Sequence, residues 1–450
     1  MSTNPDEHYK NARFKQICRD RHMSEQAGGV PGQGVASGIS HDALTAIELV
    51  SGFGPASFGL GYAAVNLAAA LSRLGVNVFL ASLDSDKVAQ EACESAGFPR
   101  ERFISGSPKG PSPFRIAPTL IPRLLNIPKH GKAIVHLHGI WTYISYVAGS
   151  LRRRWGCPLV VSPQGSLEPY ALAISPRKKA FASLLYERRN LMAATCMWAL
   201  SDQEEASIRE YGFAGRVEVI PNGVQRADVC SVEEVAEFRN RHDLTSDSRV
   251  MLFLSRIARK KNLPLLLKAF AKSIRQRPEW ILLIAGSDEK GHIHDILALI
   301  RDLRIETSVR LIGPVFGREK ACAFTSASAF VLPSHSEGLP IAVLEAMEYG
   351  KPVLITEGWS FPVTTSVKFG WRVPIEERAF ETALLEVMNT PEETLASIGQ
   401  SARFFVREHY DWDSIAERAR ALYASLLLFN PENKHAKSVL SVPRQFGQAE

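Results

Sequence analysis

The 450-residue chain has only six cysteines, Cys18, Cys93, Cys157, Cys196, Cys230 and Cys322, and no two of them form a C-x-x-C pair. Their scatter argues against a disulfide scaffold and a structural zinc site, and fits a reducing, cytoplasmic setting. Long apolar runs are also missing. No stretch reaches the roughly 18 apolar residues of a membrane span, and the most apolar run, ASLLLF around Leu426, ends a helical pattern. The first 40 residues lack the apolar core of a signal peptide and read as a disordered extension over 1–41. Charge of one sign is not in large excess either. The 53 Lys and Arg against 47 Asp and Glu leave a net charge of +6, too mild and too dispersed to make nucleic acid the default partner.

What the chain does have is rhythm. From residue 42, short β-rich runs alternate with helical ones: LTAIELV, YAAVNLAAALSRLG, NVFLASL, IAPTLIPRLLN, AIVHLHG and so on to VEVIPNG. Such alternation predicts an α/β chain with parallel sheets covered by helices. The polar stretch QRADVCSVEEVAEFRNRHDLTSD breaks the pattern and is read as a domain boundary. A second alternating series then supplies about five strands, from VMLFLSR to PVLIT. The expected organisation is two Rossmann-like domains, 42–225 and 226–410, then a bracing helix at 411–429 and a disordered tail at 430–450. A cleft between the carboxyl ends of two such sheets is where open α/β sheets bind ligands.

Two segments carry groups suited to chemistry. In AFVLPSHSEGLPIAVLEAMEYGKPVLIT, residues 329–356, a strand runs through a polar loop into a helix. Pro340 suits the start of that helix, and Gly350 its end. Glu337 falls on the loop and Glu345 inside the helix. The amides of Gly338, Leu339 and Ile341 are donors free to meet an anion or a sugar hydroxyl. The other reading is an ordinary crossover with two solvated glutamates. In FLSRIARKKNLPLLLKAF, residues 253–270, Arg256 ends a strand and Lys261 precedes a helix. That loop aims two cations and a helix N-terminus at one place, as a diphosphate leaving group requires, or else it is a solvated basic loop.

The pairing of R-x4-K (Arg256, Lys261) with E-x7-E (Glu337, Glu345) resembles the retaining glycosyltransferases of the GT-B fold, the group 1 or family 4 type. HLHGIW (136–141), SPQGSLEPYAL (162–172), a KK…ER..L helix and VIPNGV (219–224) are similar to bacterial members that build surface polysaccharides. The resemblance implies that Arg256 and Lys261 neutralise the donor diphosphate, that Glu337 contacts the donor sugar, and that Glu345 binds the ribose. It also implies that His138 lies near that sugar, while Asn222 and Gly59, the latter in the loop SGFGPASFGLG (51–61), join the donor-binding residues. His136 is expected on the opposite face of the strand, as a core histidine. Departures from the family pattern occur at Phe58, Ser255, Asn262 and EGLP (337–340). The implied reaction is hexose transfer from a nucleotide-sugar to a lipid-linked or oligosaccharide acceptor, with no metal or other cofactor, in exopolysaccharide or lipopolysaccharide assembly.

Rival readings rest on smaller patterns. Gly59-x-Gly61-x-x-Ala64 with Asp84 mimics the fingerprint of an NAD(P)-dependent oxidoreductase, although about eight residues separate it from the preceding strand. Asp84-Ser85-Asp86 mimics a metal-binding D-x-D and is read as a turn. A non-catalytic sugar-binding relative would be expected to lack one of the four charged groups, and all four are present. Basic residues at 152–154, 177–179 and 188–189, beside Phe181, Leu184 and Leu185, suit either a solvated helix or peripheral contact with an anionic membrane.

Overall fold

The computed structural model describes residues 44–428 except 55–57, 107, 109–115, 128–131, 290, 336, 338 and 358–368. The expected disordered segments, 1–41 and 430–450, lie outside the described residues, as does Gly338. Two parallel sheets organise the rest. The first takes β1 (Leu44–Val50), β2 (Asn77–Ser82), β3 (Phe103–Ser105), β4 (Lys132–His138), β5 (Leu159–Ser162), β6 (Cys196–Ala199) and β7 (Arg216–Val219), in the order β3-β2-β1-β4-β5-β6-β7. The second takes β8 (Arg249–Leu254), β9 (Trp280–Ala285), β10 (Val309–Gly313), β11 (Ala329–Leu332), β12 (Val353–Thr356) and β13 (Gly370–Val373), in the order β10-β9-β8-β11-β12-β13. Strand order reverses between β1 and β4 in one sheet and between β8 and β11 in the other. These are the crevices where doubly wound sheets take ligands.

The apolar runs behave as buried parallel strands should. All seven residues of LTAIELV are buried, including Glu48. Two strands have no counterpart in the sequence pattern, β3 and β13, because both lie at sheet edges and, at three and four residues, are too short to leave an apolar run. The polar linker contains a helix, Val232–Arg241, that starts with a capping box between Ser231 and Glu234. Phe238 is the one buried residue of that helix, so it carries too little apolar periodicity to announce itself.

The described residues make one compact unit. The helix Trp412–Leu428 follows the second sheet in sequence yet packs with the first, because Trp412, Ile415, Ala419, Leu422, Tyr423 and Leu426 belong to the same apolar core as β1 and the helix Phe58–Arg73. A Cβ on Gly223 would lie 2.5 Å from the Trp412 ring, so this returning helix needs a glycine beneath it. Where the chain leaves the first sheet and where it returns, the backbones pair: Val224 N donates to Tyr410 O at 2.8 Å. Among the described residues no helix is long and apolar enough to cross a membrane.

Candidate active site

The exit of β8 is shaped by close backbone approach. The Ser255 carbonyl lies where a Cβ on Gly286 would be, 1.8 Å away, so the β9 exit must be glycine. Ile257 N donates to Ser287 O at 2.8 Å and Glu289 N to Ile257 O at 3.1 Å, pinning the two exits side by side. Arg256 emerges from this ladder with its side chain 57% exposed and one guanidinium nitrogen 2.5 Å from Glu289 Oε2. A short 3-10 turn, Arg259–Lys261, leads to Asn262 at φ +53° and then to the helix Leu263–Ser273. Asparagine tolerates the left-handed region better than most residues, which explains how Asn262 serves where the family pattern has glycine.

Lys261 and Glu337 come together. Nζ lies 2.5 Å from Oε1, with the side chains 12% and 10% exposed, and His335 N donates to Lys260 O at 2.9 Å, stitching the β8 and β11 exit loops to each other. Glu345 sits in the helix Ile341–Glu348, capped by Pro340, and its Oε1 lies 2.8 Å from Lys320 Nζ. Leu339 packs against the apolar cores of both halves, so the start of this segment lies at their junction. The four charged residues singled out by spacing thus all gather around the β8 and β11 exits or the helix that follows, each carboxylate or cation already matched by an opposite charge.

At the reversal point of the first sheet, His138 ends β4 and pairs in register with Val50 at the end of β1. It is buried, with Nε2 2.7 Å from Glu48 Oε2 and Nδ1 3.3 Å from Gln164 Nε2. Asn222 Nδ2 reaches Gln164 Oε1 at 3.5 Å. His136 is fully buried, as a core histidine should be, but it does not face away: its ring centroid is 4.1 Å from that of His138 and its Nδ1 is 3.1 Å from the same Glu48 oxygen. Side chains two apart in a strand share a face, and that period corrects the expectation. Burial by itself would raise the Glu48 pKa, yet His136 and His138 outweigh it and bring the carboxyl down to about 2. Burial, reinforced by His136, brings His138 down to about 4 against the pull of Glu48, which leaves a neutral imidazole at neutral pH. Glu48, His136 and His138 are also the group of metal-ligating side chains that converges among the described residues. Their facing atoms are already joined to each other and to the Tyr423 hydroxyl, and all are buried.

Two more buried carboxylates hold the loops beside His138. Trp141 stands at φ +71° and Gln164 at φ +50°, backbone conformations that cost side-chain-bearing residues energy. Glu187 Oε2 accepts the Trp141 N–H at 2.8 Å, and Glu204 Oε1 accepts the Gly165 N–H at 2.6 Å. Burial pushes both carboxyls up to about 7, more than these N–H donors lower them. A folded-state pKa raised above the unfolded one gives stability that is full below about pH 4.5 and lost as pH rises through 7. Glu187→Gln keeps an acceptor for Trp141 and removes the ionisation. Its stability relative to wild type is therefore expected to improve between pH 5 and pH 8 by up to about 3 kcal/mol, read from urea midpoints. An equal difference at both pH values would refute this.

The glycine-rich loop is shorter than its sequence suggests, because the helix begins at Phe58, ahead of the apolar pattern that starts at Tyr62. Gly59 lies in the first helical turn with open space where a Cβ would be, whereas a Cβ on Gly61 would be 2.7 Å from Gly52 O. The crowded glycine lets the loop fold back on Gly52, whereas no neighbour demands glycine at position 59. Asp84 is buried and accepts the Phe53 N–H, holding that same loop. Asp84 and Ser85 lie in the bend that joins β2 to the helix Asp86–Ala96, with Ser85 at its N-cap position.

This architecture is that of a two-domain GT-B glycosyltransferase, with paired Rossmann-like sheets and the charged residues at their exits. The family model for glycosyl transferases group 1 matches residues 234–422, and that for the glycosyl transferase 4-like domain matches 58–223. HepE from Anabaena, solved with UDP and glucose, has the same fold at a TM-score of 0.66 and 16% identity, over 86% of this chain and 100% of its own. A D-inositol 3-phosphate glycosyltransferase of Kineococcus radiotolerans is 28% identical over 309 residues, 64% of this chain and 70% of the relative. A GDP-mannose:cellobiosyl-diphosphopolyprenol alpha-mannosyltransferase of Xanthomonas oryzae pv. oryzae is 26% identical over 239 residues, 53% of this chain and 58% of the relative. The chain belongs to the group 1 glycosyltransferases.

Proposed function

We propose that the protein transfers a hexose from a nucleotide-sugar to a glycan acceptor carried on a lipid or an oligosaccharide, with retention of anomeric configuration and without a metal. The observation that carries this reading is the meeting of Lys261 and Glu337 where the β8 and β11 exit loops are stitched together. A donor diphosphate entering there exchanges the carboxylate partners of Lys261 and Arg256 for phosphate oxygens, so that both cations stabilise charge on the departing nucleotide. Glu337, released from Lys261, accepts hydrogen bonds from the donor sugar, and Glu345 accepts from the ribose. Attack by the acceptor hydroxyl on the face the nucleotide leaves, with the leaving phosphate taking the proton, needs no enzyme nucleophile. The chain then contributes position and charge.

The mannosyltransferase relative acts, by its name, on a diphosphopolyprenol-linked sugar, and that supports a lipid-linked acceptor and a bacterial envelope polysaccharide as the product, assembled at the cytoplasmic side. Leu184 is 85% exposed, Leu185 61% and Phe181 60%, with Arg177, Lys178, Arg188 and Arg189 exposed around them. Apolar side chains ringed by cations suit an anionic leaflet. The protein should co-sediment with vesicles containing anionic lipid and not with neutral ones, and Leu184→Ser should weaken this. Sedimentation indifferent to lipid charge would remove the membrane from the proposal.

The donor is tested by thermal stabilisation with UDP-, GDP- and ADP-sugars, NAD and NADP, all in EDTA. Stabilisation by one nucleotide-sugar is expected, weakened by Glu345→Ala through loss of ribose hydrogen bonds worth about 1 to 3 kcal/mol. Stabilisation by NAD or NADP alone would overturn the reading.

A further inference from the structure

The buried cluster at the reversal point of the first sheet has a direction built into it. An ionised carboxylate can only accept hydrogen bonds, so the 2.7 Å contact from Glu48 Oε2 to His138 Nε2 requires the proton to sit on Nε2. In a neutral imidazole the other nitrogen is then a bare lone pair. Nδ1 must therefore accept, and the contact at 3.3 Å is with Gln164 Nε2, which can only donate. Gln164 Oε1 is left to accept from Asn222 Nδ2. Hydrogen-bond polarity thus runs Asn222 to Gln164 to His138 to Glu48, from the loop after β7 inward to the middle of β1.

Glu48 is itself held on both oxygens. Tyr423 donates to Oε1 at 2.9 Å from the C-terminal helix, and His136 Nδ1 approaches Oε2 at 3.1 Å and the Tyr423 hydroxyl at 2.6 Å. The His136 ring stacks on Trp198 with centroids 4.9 Å apart, and its Nε2 has no partner. A charged residue in a strand buried along its whole length is costly unless it is paired, and an apolar residue there would pack without that cost. The arrangement is explained if the charge does something for the site.

We propose that Glu48 is a positioning residue for the transfer reaction: it fixes His138 in the Nε2–H form, so that Nδ1 is offered as a hydrogen-bond acceptor, and a donor-sugar hydroxyl takes the place that Gln164 Nε2 occupies at 3.3 Å. This deepens the proposed function and rests on it. Its consequence is a selectivity rule: the donor must carry a hydroxyl at the position that reaches His138. Tyr423 makes the C-terminal helix part of the same device, holding the carboxylate still without setting its polarity.

The test uses the full-length protein labelled with 15N-histidine. Two-bond proton–nitrogen spectra at pH 7 should give His138 the Nε2–H pattern; an Nδ1–H or doubly protonated ring in the wild type overturns the proposal before any variant is made. Glu48→Gln, whose amide can donate to Nε2, should shift His138 toward the Nδ1–H form and lower kcat/KM for the identified donor by about tenfold, the worth of one hydrogen bond. Tyr423→Phe removes a donor to Glu48 Oε1 and leaves the charge in place, so it should keep the wild-type tautomer. Among singly deoxygenated donors, one should be poor for the wild type and lose nothing further in Glu48→Gln. An unchanged tautomer in Glu48→Gln, or equal losses for every donor, means that the cluster is only structural. If no nucleotide-sugar binds the wild type, the proposed function fails, while the spectra still report on His138.

Discussion

Lys261→Ala is expected to lower turnover on the order of 100-fold or more, the scale on which losses of transition-state charge stabilisation fall, and to destabilise the fold as well. Lys261 and Glu337 are nearly sequestered from water in their 2.5 Å contact. Removing one member of a buried pair leaves the other charge without its partner, at a cost of about 3 to 5 kcal/mol. Lys261→Ala/Glu337→Gln separates the two effects. The double variant should regain most of the lost stability, because no orphaned carboxylate remains, and should stay as inactive as the single one. Steady-state kinetics with the identified donor and urea unfolding measure both. A double variant that recovers turnover would show that Lys261 serves only to neutralise Glu337.

Arg256→Ala is expected to cost a similar factor in turnover and almost nothing in stability. Its guanidinium is 57% exposed, and Glu289, its partner, is 35% exposed. Ion pairs in such surroundings contribute about 0 to 1 kcal/mol. The two cations therefore share a proposed role on the leaving diphosphate but differ in what else they hold up. Glu289→Gln provides the complementary measurement: it frees Arg256 without moving it, so donor affinity should rise modestly, and more so at low salt, where charge attraction is least screened. An Arg256→Ala enzyme that binds and turns over donor like the wild type would remove Arg256 from the diphosphate site.

Much of this was legible in the sequence, for identifiable reasons. Buried parallel strands must be apolar along their whole length, so LTAIELV, VMLFLSR and AFVLPS announce themselves. The spacing of Arg256, Lys261, Glu337 and Glu345 follows from strand-loop-helix geometry, which is local. Edge strands β3 and β13 and the linker helix were not legible, because each buries too few side chains to leave a periodic trace.

The partners of the site residues were legible only in part. Glu48 carries a signal, a lone carboxylate in an apolar strand, but nothing near it in sequence says which histidine it meets. Register decides that: β1 and β4 pair so that Glu48 lies opposite His136 and two residues short of the position opposite His138, and the strand period of two puts both imidazoles on its side. Glu289 and Lys320, which neutralise Arg256 and Glu345, come from the connections that follow β9 and β10, 33 and 25 residues away, with no spacing motif to tie them to their partners. Tyr423 comes from a helix that crosses back to the first sheet.

The sequence by itself determined the α/β class, the two alternating series and the four charged residues at the exits of β8 and β11, because these depend on periodicities and spacings within a few tens of residues. Tertiary structure alone decided which buried charges meet, which glycines are crowded and which open, and that the last helix belongs to the first sheet. Those contacts join segments separated by tens of residues, as Lys261 and Glu337 are, or by hundreds, as Glu48 and Tyr423 are, and packing, with the pairing of charges that burial demands, selects them.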